Sequence, residues 1–572
     1  MKSKAYVFTV SLLILVFLVS CTAKAAPNPT AAPNQPTAAA AVSATATTAA
    51  PAAAKRPFVV TEGQTIDDMD PGKNWGWEGN FLALEYDTLF VAKGASAPTI
   101  EPWLAADIPT KDNGGISADG LVYTIKIKPG AKFHDGVTPV DAKAVVYSYT
   151  RMQKLATGVD SVTADWITKM EVVDPLTVRF TLKQPFGDFM WSMTSTYGNQ
   201  IVNPVLVDQH LGKLEDGSND YGSTWLHDNE AGSGPYSMVA IDRTVNTLTL
   251  QRNTSWWRGW PTDGKTIDQI IYRTGIDSQS ARLMLQKGDV DMALSLDASD
   301  YEAITGKTGI VTEKYPGVQQ AYIGFNNSSP KLQDVRIRQA LLYSFPYDSV
   351  QKDIFLGNIM PMTTAAGPGY PEVYTPKTVY TQDLDKAKAL MTAAGYTPQN
   401  PLELTINIVA KTGTTNTAIA ELWQPILQGI GVKLGIQETD KGVWGKAWWG
   451  CNATTAPNMG ELSFLAISGD YPSAWETMWQ VYPMISGQKC TAVYINDPDV
   501  NKLFDQIAGA TDTATRKPLF ESLYETLNER AYALQMGEQM SLIAYRDVVK
   551  GYEYSFAAGD GFFPAYAMWL EK

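Results

Sequence analysis

The sequence predicts a mixed α/β fold with at least one partly parallel sheet, and three stretches carry that prediction. Residues 121–128 (LVYTIKIK) and 176–182 (LTVRFTL) alternate apolar and polar side chains, the period of a half-buried strand. Residues 402–409 (LELTINIV) alternate in the same way. Ile419, Leu422, Trp423, Ile426, Leu427 and Ile430 then recur at helical spacing, and Val432, Leu434 and Ile436 alternate again. Strand, amphipathic helix and strand in immediate succession make a βαβ unit, whose two strands run parallel.

Each element has its own start and stop chemistry. Thr138-Pro139-Val140-Asp141 offers a capping hydroxyl, a proline for the first helical position and an acid for the first turn. That predicts a helix from 138 to about Met152 that turns Val145, Val146 and Tyr149 inward. Asp174-Pro175 marks a turn ahead of the strand at 176–182. Pro425 lies inside the 419–430 run and predicts a kink, and Gly431 ends the helix.

Composition narrows the function classes. The chain has 572 residues, 45% of them apolar, enough for two to four domain-sized units. Its 46 Lys and Arg against 59 Asp and Glu leave a net charge of −13, which repels phosphate backbones and argues against a nucleic-acid partner. Three Cys and three His, with no HExxH or CxxC, predict neither a metal site nor a cofactor. No Gly-x-Ser-x-Gly elbow is present, and among 59 acids a pair of carboxylates is uninformative. The chain is therefore not expected to be an enzyme, with a secreted hydrolase as the distant alternative.

The N-terminus reads as an address. Lys2 and Lys4 precede an apolar stretch over residues 5–19, shorter than the roughly 20 residues that span a bilayer. A basic flank, a short apolar centre and small residues at the cut site define residues 1–20 as a signal peptide. Leu18-Val19-Ser20-Cys21 resembles a bacterial lipobox, which implies that Cys21 is lipidated and becomes the mature N-terminus. From 21 to 57 the chain is dominated by Ala, Pro and Thr, and such a segment cannot bury enough surface to fold. We expect a disordered tether that holds an extracytoplasmic body at the cell membrane, in the periplasm or on the cell surface.

Residues 121–152, LVYTIKIKPGAKFHDGVTPVDAKAVVYSYTRM, closely resemble the signature of the family 5 solute-binding proteins of bacterial ABC importers. The resemblance continues in order along the body. It includes the segment 81–90 around Tyr86, the Gly232-Ser-Gly-Pro-Tyr236 turn, the helix-like 281–291, FNNSSPKLQDVRIRQALLY at 325–343, and 383–395. One departure is Ser344-Phe345-Pro346-Tyr347, where the family often continues with an Ala-Ile-Asp-Arg run. His134 beside Asp135 belongs to the signature as scaffold.

The resemblance implies an α/β, two-lobed periplasmic-binding-protein-like fold (type II, of the large cluster with an extra subdomain), with a ligand cleft between the lobes. Lobe I is expected over 58–317 and 545–572, with the extra subdomain at about 99–231, and lobe II over 318–544. It also implies a monomeric receptor that closes on oligopeptides or dipeptides and delivers them to permease subunits. In peptide-binding members an Asp holds the ammonium group, and the matching position here is Asp470 in Ile467-Ser-Gly-Asp-Tyr-Pro472. The neighbouring Tyr471 and Trp475, together with Tyr86, Trp448 and Trp449, complete the expected ligand-binding set. Trp444, Trp448, Trp449, Trp475 and Trp479 also suit an oligosaccharide, since aromatic faces stack on sugar rings, although such clusters also build cores. Cys451 and Cys490 remain an even pair once Cys21 carries lipid, and are expected as a disulfide, with two free thiols as the alternative.

Overall fold

A computed structural model describes residues 55–571 apart from 95–97, 318, 411–413, 449–459, 483–492 and 556–562. Two mixed sheets organise the described chain. The first orders its strands Ile310–Tyr315, Ser541–Arg546, Met292–Ala293, Phe58–Thr61, Gln269–Arg273, Thr247–Arg252 and Tyr236–Asp242. Phe58–Thr61 lies at its centre, parallel to both neighbours, and Phe58 and Val60 are fully buried there. The second sheet runs Ile359–Met360, Ala533–Gln539, Gln319–Phe325, Leu462–Ser468, Leu402–Val409 and Val432–Thr439.

The βαβ unit forms as the periodicity requires. Leu402–Val409 and Val432–Thr439 pair in parallel along their whole length, joined by the helix Thr415–Ile430. That helix buries Ile419, Trp423, Leu427 and Ile430 and runs through Pro425 as one helix, ending at Gly431 with φ 93°. The earlier helix starts later than the sequence suggests, at Ala142, and runs to Leu155. Its cap is Asp141, whose carboxylate accepts from the Ala144 N–H at 3.0 Å. Thr138 is held instead by Asp135, and Val140 N–H donates to Ala131 carbonyl at 2.9 Å, so the backbone at Thr138–Val140 belongs to a turn.

The chain crosses between the sheets twice, once between Tyr315 and Gln319 and once at Met540. The return therefore comes before Tyr545: Ser541 already pairs with Tyr315 in the first sheet, while Glu538 pairs with Gln320 in the second. Residues 533–546 read as one extended stretch, and alternation carries no mark of the point at which a strand changes sheets.

Residues 99–231 add a three-stranded sheet, Val122–Lys126, Thr177–Leu182 and Ile167–Asp174, against the helix Ala142–Leu155. This subdomain packs on the second lobe as well as its own, because Trp166 and Phe186 share one apolar core with Trp475 and Phe504. His134 serves the scaffold: Nδ1 meets Glu230 Oε1 at 2.8 Å, and its N–H donates to Gly232 carbonyl at 2.9 Å.

Candidate functional site

In open α/β sheets ligands bind beyond the carboxyl ends of parallel strands, where neighbouring strands diverge. Both sheets place such an end at one cavity. In the second sheet, Leu402–Val409 and Leu462–Ser468 pair only at Ile406↔Leu462 and Asn407↔Ser463 and then separate. In the first, the Met292–Ala293 strand ends beside Thr61 and leads directly into residues 294–299. Between them lies a cavity of 880 Å³. Its first-lobe wall is Leu294 to Ser299 and Ser541 to Ile543, and its second-lobe wall includes Ala321, Val409, Trp444, Phe464, Ala466 and Met536.

The cavity wall is shaped by local constraints. Ser295 takes a left-handed backbone (φ 61°), which L side chains rarely adopt, and its hydroxyl donates to Glu62 Oε1 and Oε2 at 2.8 and 2.9 Å. Trp444 is held by its indole N–H, which donates to Ser463 Oγ at 2.8 Å. From Phe464 to Ser468 the strand pairs with Gln319–Ile323 on one edge; its other edge has no strand partner among the described residues.

Two residues beyond that strand stands Asp470, half-buried, in a group of acids. Its N–H donates to Glu476 Oε2 at 2.8 Å, and Gly469 N–H donates to Tyr370 Oη at 2.9 Å. Gln480 Nε2 donates to Glu476 Oε1 at 2.6 Å and to Ser468 carbonyl at 3.0 Å. Glu538 is fully buried behind them; its Oε2 accepts from Gly369 N–H at 3.0 Å and its Oε1 has no partner. Added Cβ atoms at Gly367 and Gly369 would stand only 1.9 and 2.4 Å from that carboxylate, so the loop needs glycine at both positions.

Burial pushes the Asp470 carboxyl up to about 7, and Glu538 likewise to about 7. Glu476 is held well above the ordinary carboxyl range, first by burial and then by the charge of Asp470. Among the described residues no Lys, Arg or His forms an ion pair with any of the three, and no group of three or more His, Cys, Asp or Glu is arranged to hold a metal ion.

The aromatic residues expected at the ligand are placed elsewhere. Trp475 is 3% exposed, donates its indole N–H to Phe504 carbonyl at 3.0 Å, and meets the Phe186 ring edge-on at 5.4 Å. Tyr471 and Trp448 are equally buried in the same core. Tyr86 is buried in the first lobe, where its hydroxyl accepts from Ala231 N–H at 3.0 Å. None of these four, and none of Asp470, Glu476 and Glu538, is among the described residues that line the cavity. The four aromatics are packing residues because folding the subdomain onto the second lobe and closing the first-lobe core both demand large apolar volumes. Trp449, Cys451, Cys490 and Cys21 lie outside the described residues.

Sequence reasoning missed Glu476 and Glu538. Ser473-Ala-Trp-Glu476 is a capping-box spacing, and Ser473 Oγ does accept from Glu476 N–H at 3.3 Å. The Glu476 carboxylate, however, reaches back to Asp470 N–H and so joins the site. Glu538 carries no local signal, since only strand pairing brings it there.

The fold and the cavity define a two-lobed binding protein, and comparison with known proteins places it. The family model for bacterial extracellular solute-binding proteins, family 5 (middle), matches residues 99–485. The chain belongs to that family. It is 25% identical over 499 residues to the probable D,D-dipeptide-binding periplasmic protein DdpA of Escherichia coli K12, covering 86% of this chain and 90% of that one. It is 27% identical over 438 residues to the glutathione-binding protein GsiB of Pectobacterium atrosepticum, covering 73% and 77%. The periplasmic binding protein DppA of Helicobacter pylori, solved with the peptide STSA, superposes with a TM-score of 0.74 at 21% identity, over 90% of this chain and 98% of that one.

The raised acids have a measurable consequence. Native Glu538 keeps its proton up to about pH 7, whereas its ordinary value is 4.5, so unfolding releases a proton between those limits. The contribution of Glu538 to stability therefore falls as pH rises from about 4.5 to about 7. Glu538→Gln removes this dependence, and urea denaturation should show the variant gaining on wild type by about 3 kcal/mol across that window. Parallel stability profiles would show that Glu538 titrates normally.

Proposed function

We propose that the protein is the extracytoplasmic receptor of an ABC importer, which captures oligopeptides or dipeptides between its lobes and presents them to a membrane permease. The observation that carries the peptide reading is the strand Leu462–Ser468, which from Phe464 onward has no strand partner on one edge among the described residues and leads into the Asp470–Glu476 acid pair. An extended peptide adds to such an edge by main-chain hydrogen bonds, whatever its side chains. Its ammonium group supplies three donors and the positive charge that the acids lack. The names of the relatives, which bind dipeptides and glutathione, support the same class of ligand.

The cavity wall mixes apolar side chains with polar and charged ones, Asp297, Asp353 and Lys441 among them. The oligosaccharide reading rested on Trp444, Trp448, Trp449, Trp475 and Trp479 as stacking platforms; Trp448 and Trp475 are buried in the core, whereas Trp444 lines the cavity. Lobe closure is a hinge motion about the two crossings, and the ligand stabilises the closed state by binding it better. We further propose that Cys21 carries the lipid that keeps the receptor at the membrane, and that Cys451 and Cys490 form a disulfide.

Two experiments test this reading. Asp470→Asn keeps the side-chain shape and removes the charge, and should weaken a free-amine peptide by roughly 100- to 5,000-fold in calorimetry, as breaking a buried pair does. N-acetylation of the peptide should cost wild type a similar factor. A loss of only about 0.5–1.5 kcal/mol would instead fit a neutral ligand such as a sugar. For the anchor, Cys21→Ser should shift the protein from the membrane fraction to the soluble one, and lipid labelling of that variant would contradict the assignment.

A further inference from the structure

Beside the acid pair, the subdomain inserts one carboxylate into the second lobe. Asp188, 3% exposed, stands just before the short helix that follows the Thr177–Leu182 strand, makes no capping hydrogen bond to it, and bonds instead with the other lobe. Its Oδ2 accepts from Ser473 Oγ, and its Oδ1 pairs with Arg516 Nη2 at 2.7 Å. Next to it, Gly187 N–H donates to Ala508 carbonyl at 2.8 Å. A Cβ at Gly187 would stand 2.2 Å from Ala510 carbonyl, so the approach is as close as backbone permits.

Both partners of Asp188 lead to the acid pair. Ser473 is the cap of the helix Ala474–Trp479, which carries Glu476. Arg516 also grips Glu372 through Nε and Nη2, at 2.9 Å to Oε1 and 2.8 Å to Oε2. Glu372 holds a left-handed backbone (φ 61°), and strain of this kind persists only where surrounding contacts impose it. Two residues earlier on that loop, Tyr370 Oη accepts from Gly469 N–H, adjacent to Asp470. One subdomain carboxylate thus holds the Asp470–Glu476 turn from both ends.

The lobes are joined covalently between Tyr315 and Gln319 and at Met540, and hinge rotation about such crossings is the motion by which two-lobed proteins open and close. We propose that Asp188 is a positioning residue for ligand capture: on closure it fixes Ser473 and Arg516 and so completes the seat for the ligand's ammonium group. This rests on the reading of Asp470 and Glu476 as that seat. Subdomain docking and ammonium recognition become one event, and a ligand without the ammonium gains little from the closure.

The test compares trialanine with N-acetyl-trialanine on the full chain, by calorimetry for affinity and stopped flow for dissociation. Asp188→Asn leaves Arg516 paired with Glu372, so no buried charge is stranded and the fold is retained. The preference of wild type for the free amine should fall about tenfold or more in Asp188→Asn, through faster dissociation, as expected for residues coupled in one network. Affinity for the acetylated peptide should change less than about threefold, and Asp188→Glu should restore part of the preference. Ser473→Ala removes the same contact from the other lobe and should lower the preference likewise, which decides the matter if Asp188→Asn is poorly folded. An unchanged preference in Asp188→Asn or Ser473→Ala overturns the role of Asp188 alone. Equal affinity of wild type for the two peptides overturns the ammonium seat, and with it this proposal.

Discussion

Asp470 and Glu476 lie together in the second lobe, Glu538 is buried in the same lobe, and none of the three forms an ion pair with a basic side chain among the described residues. Buried carboxylates are costly unless paired, and the protein meets that cost by holding them as acids rather than as ions. Nearby features serve this arrangement: the glycines at 367 and 369 that let a loop lie against Glu538, Tyr370 beneath Gly469, and Gln480 on Glu476.

The rest of the fold delivers ligand and lobes to that point. Parallel strand ends from two sheets open on one cavity, and the strand that leads to Asp470 has, from Phe464 onward, no strand partner on one edge among the described residues. Capture combines sequence-tolerant main-chain pairing with a terminal charge, which suits a receptor that takes many peptides. The subdomain adds a second contact between the lobes, through Asp188 and through the core shared by Phe186 and Trp475. Because the crossings are only two strands wide, these contacts govern how firmly the closed state holds.

Much of the fold was legible because alternation and helical spacing are local. The Leu402–Val409 strand, its helix and its parallel partner could be read residue by residue, and Asp470 was singled out through a family motif. What could not be read was non-local. Trp448, Trp475, Tyr471 and Tyr86 are amphipathic aromatics, equally fit for a cleft or a core, and only the docking of the subdomain shows that they belong to cores. Glu538 becomes a neighbour of the site through strand pairing with Gln320, and the lobe return at Met540 is hidden inside a continuous extended stretch. The helix start moved from Thr138 to Ala142 because Asp135 claims the threonine hydroxyl first.

The central claim is that the ligand's ammonium replaces a proton on the acid pair. Asp470 is raised to about 7, so near pH 6 the seat is mostly protonated while a peptide amine is fully charged. Calorimetric titration at pH 6, in two buffers of different ionisation enthalpy, measures the protons exchanged on binding. The account predicts a release of about 0.5–1 proton per ligand, declining as pH rises above about 7. Binding with no proton exchange at pH 6, or with proton uptake, would contradict it.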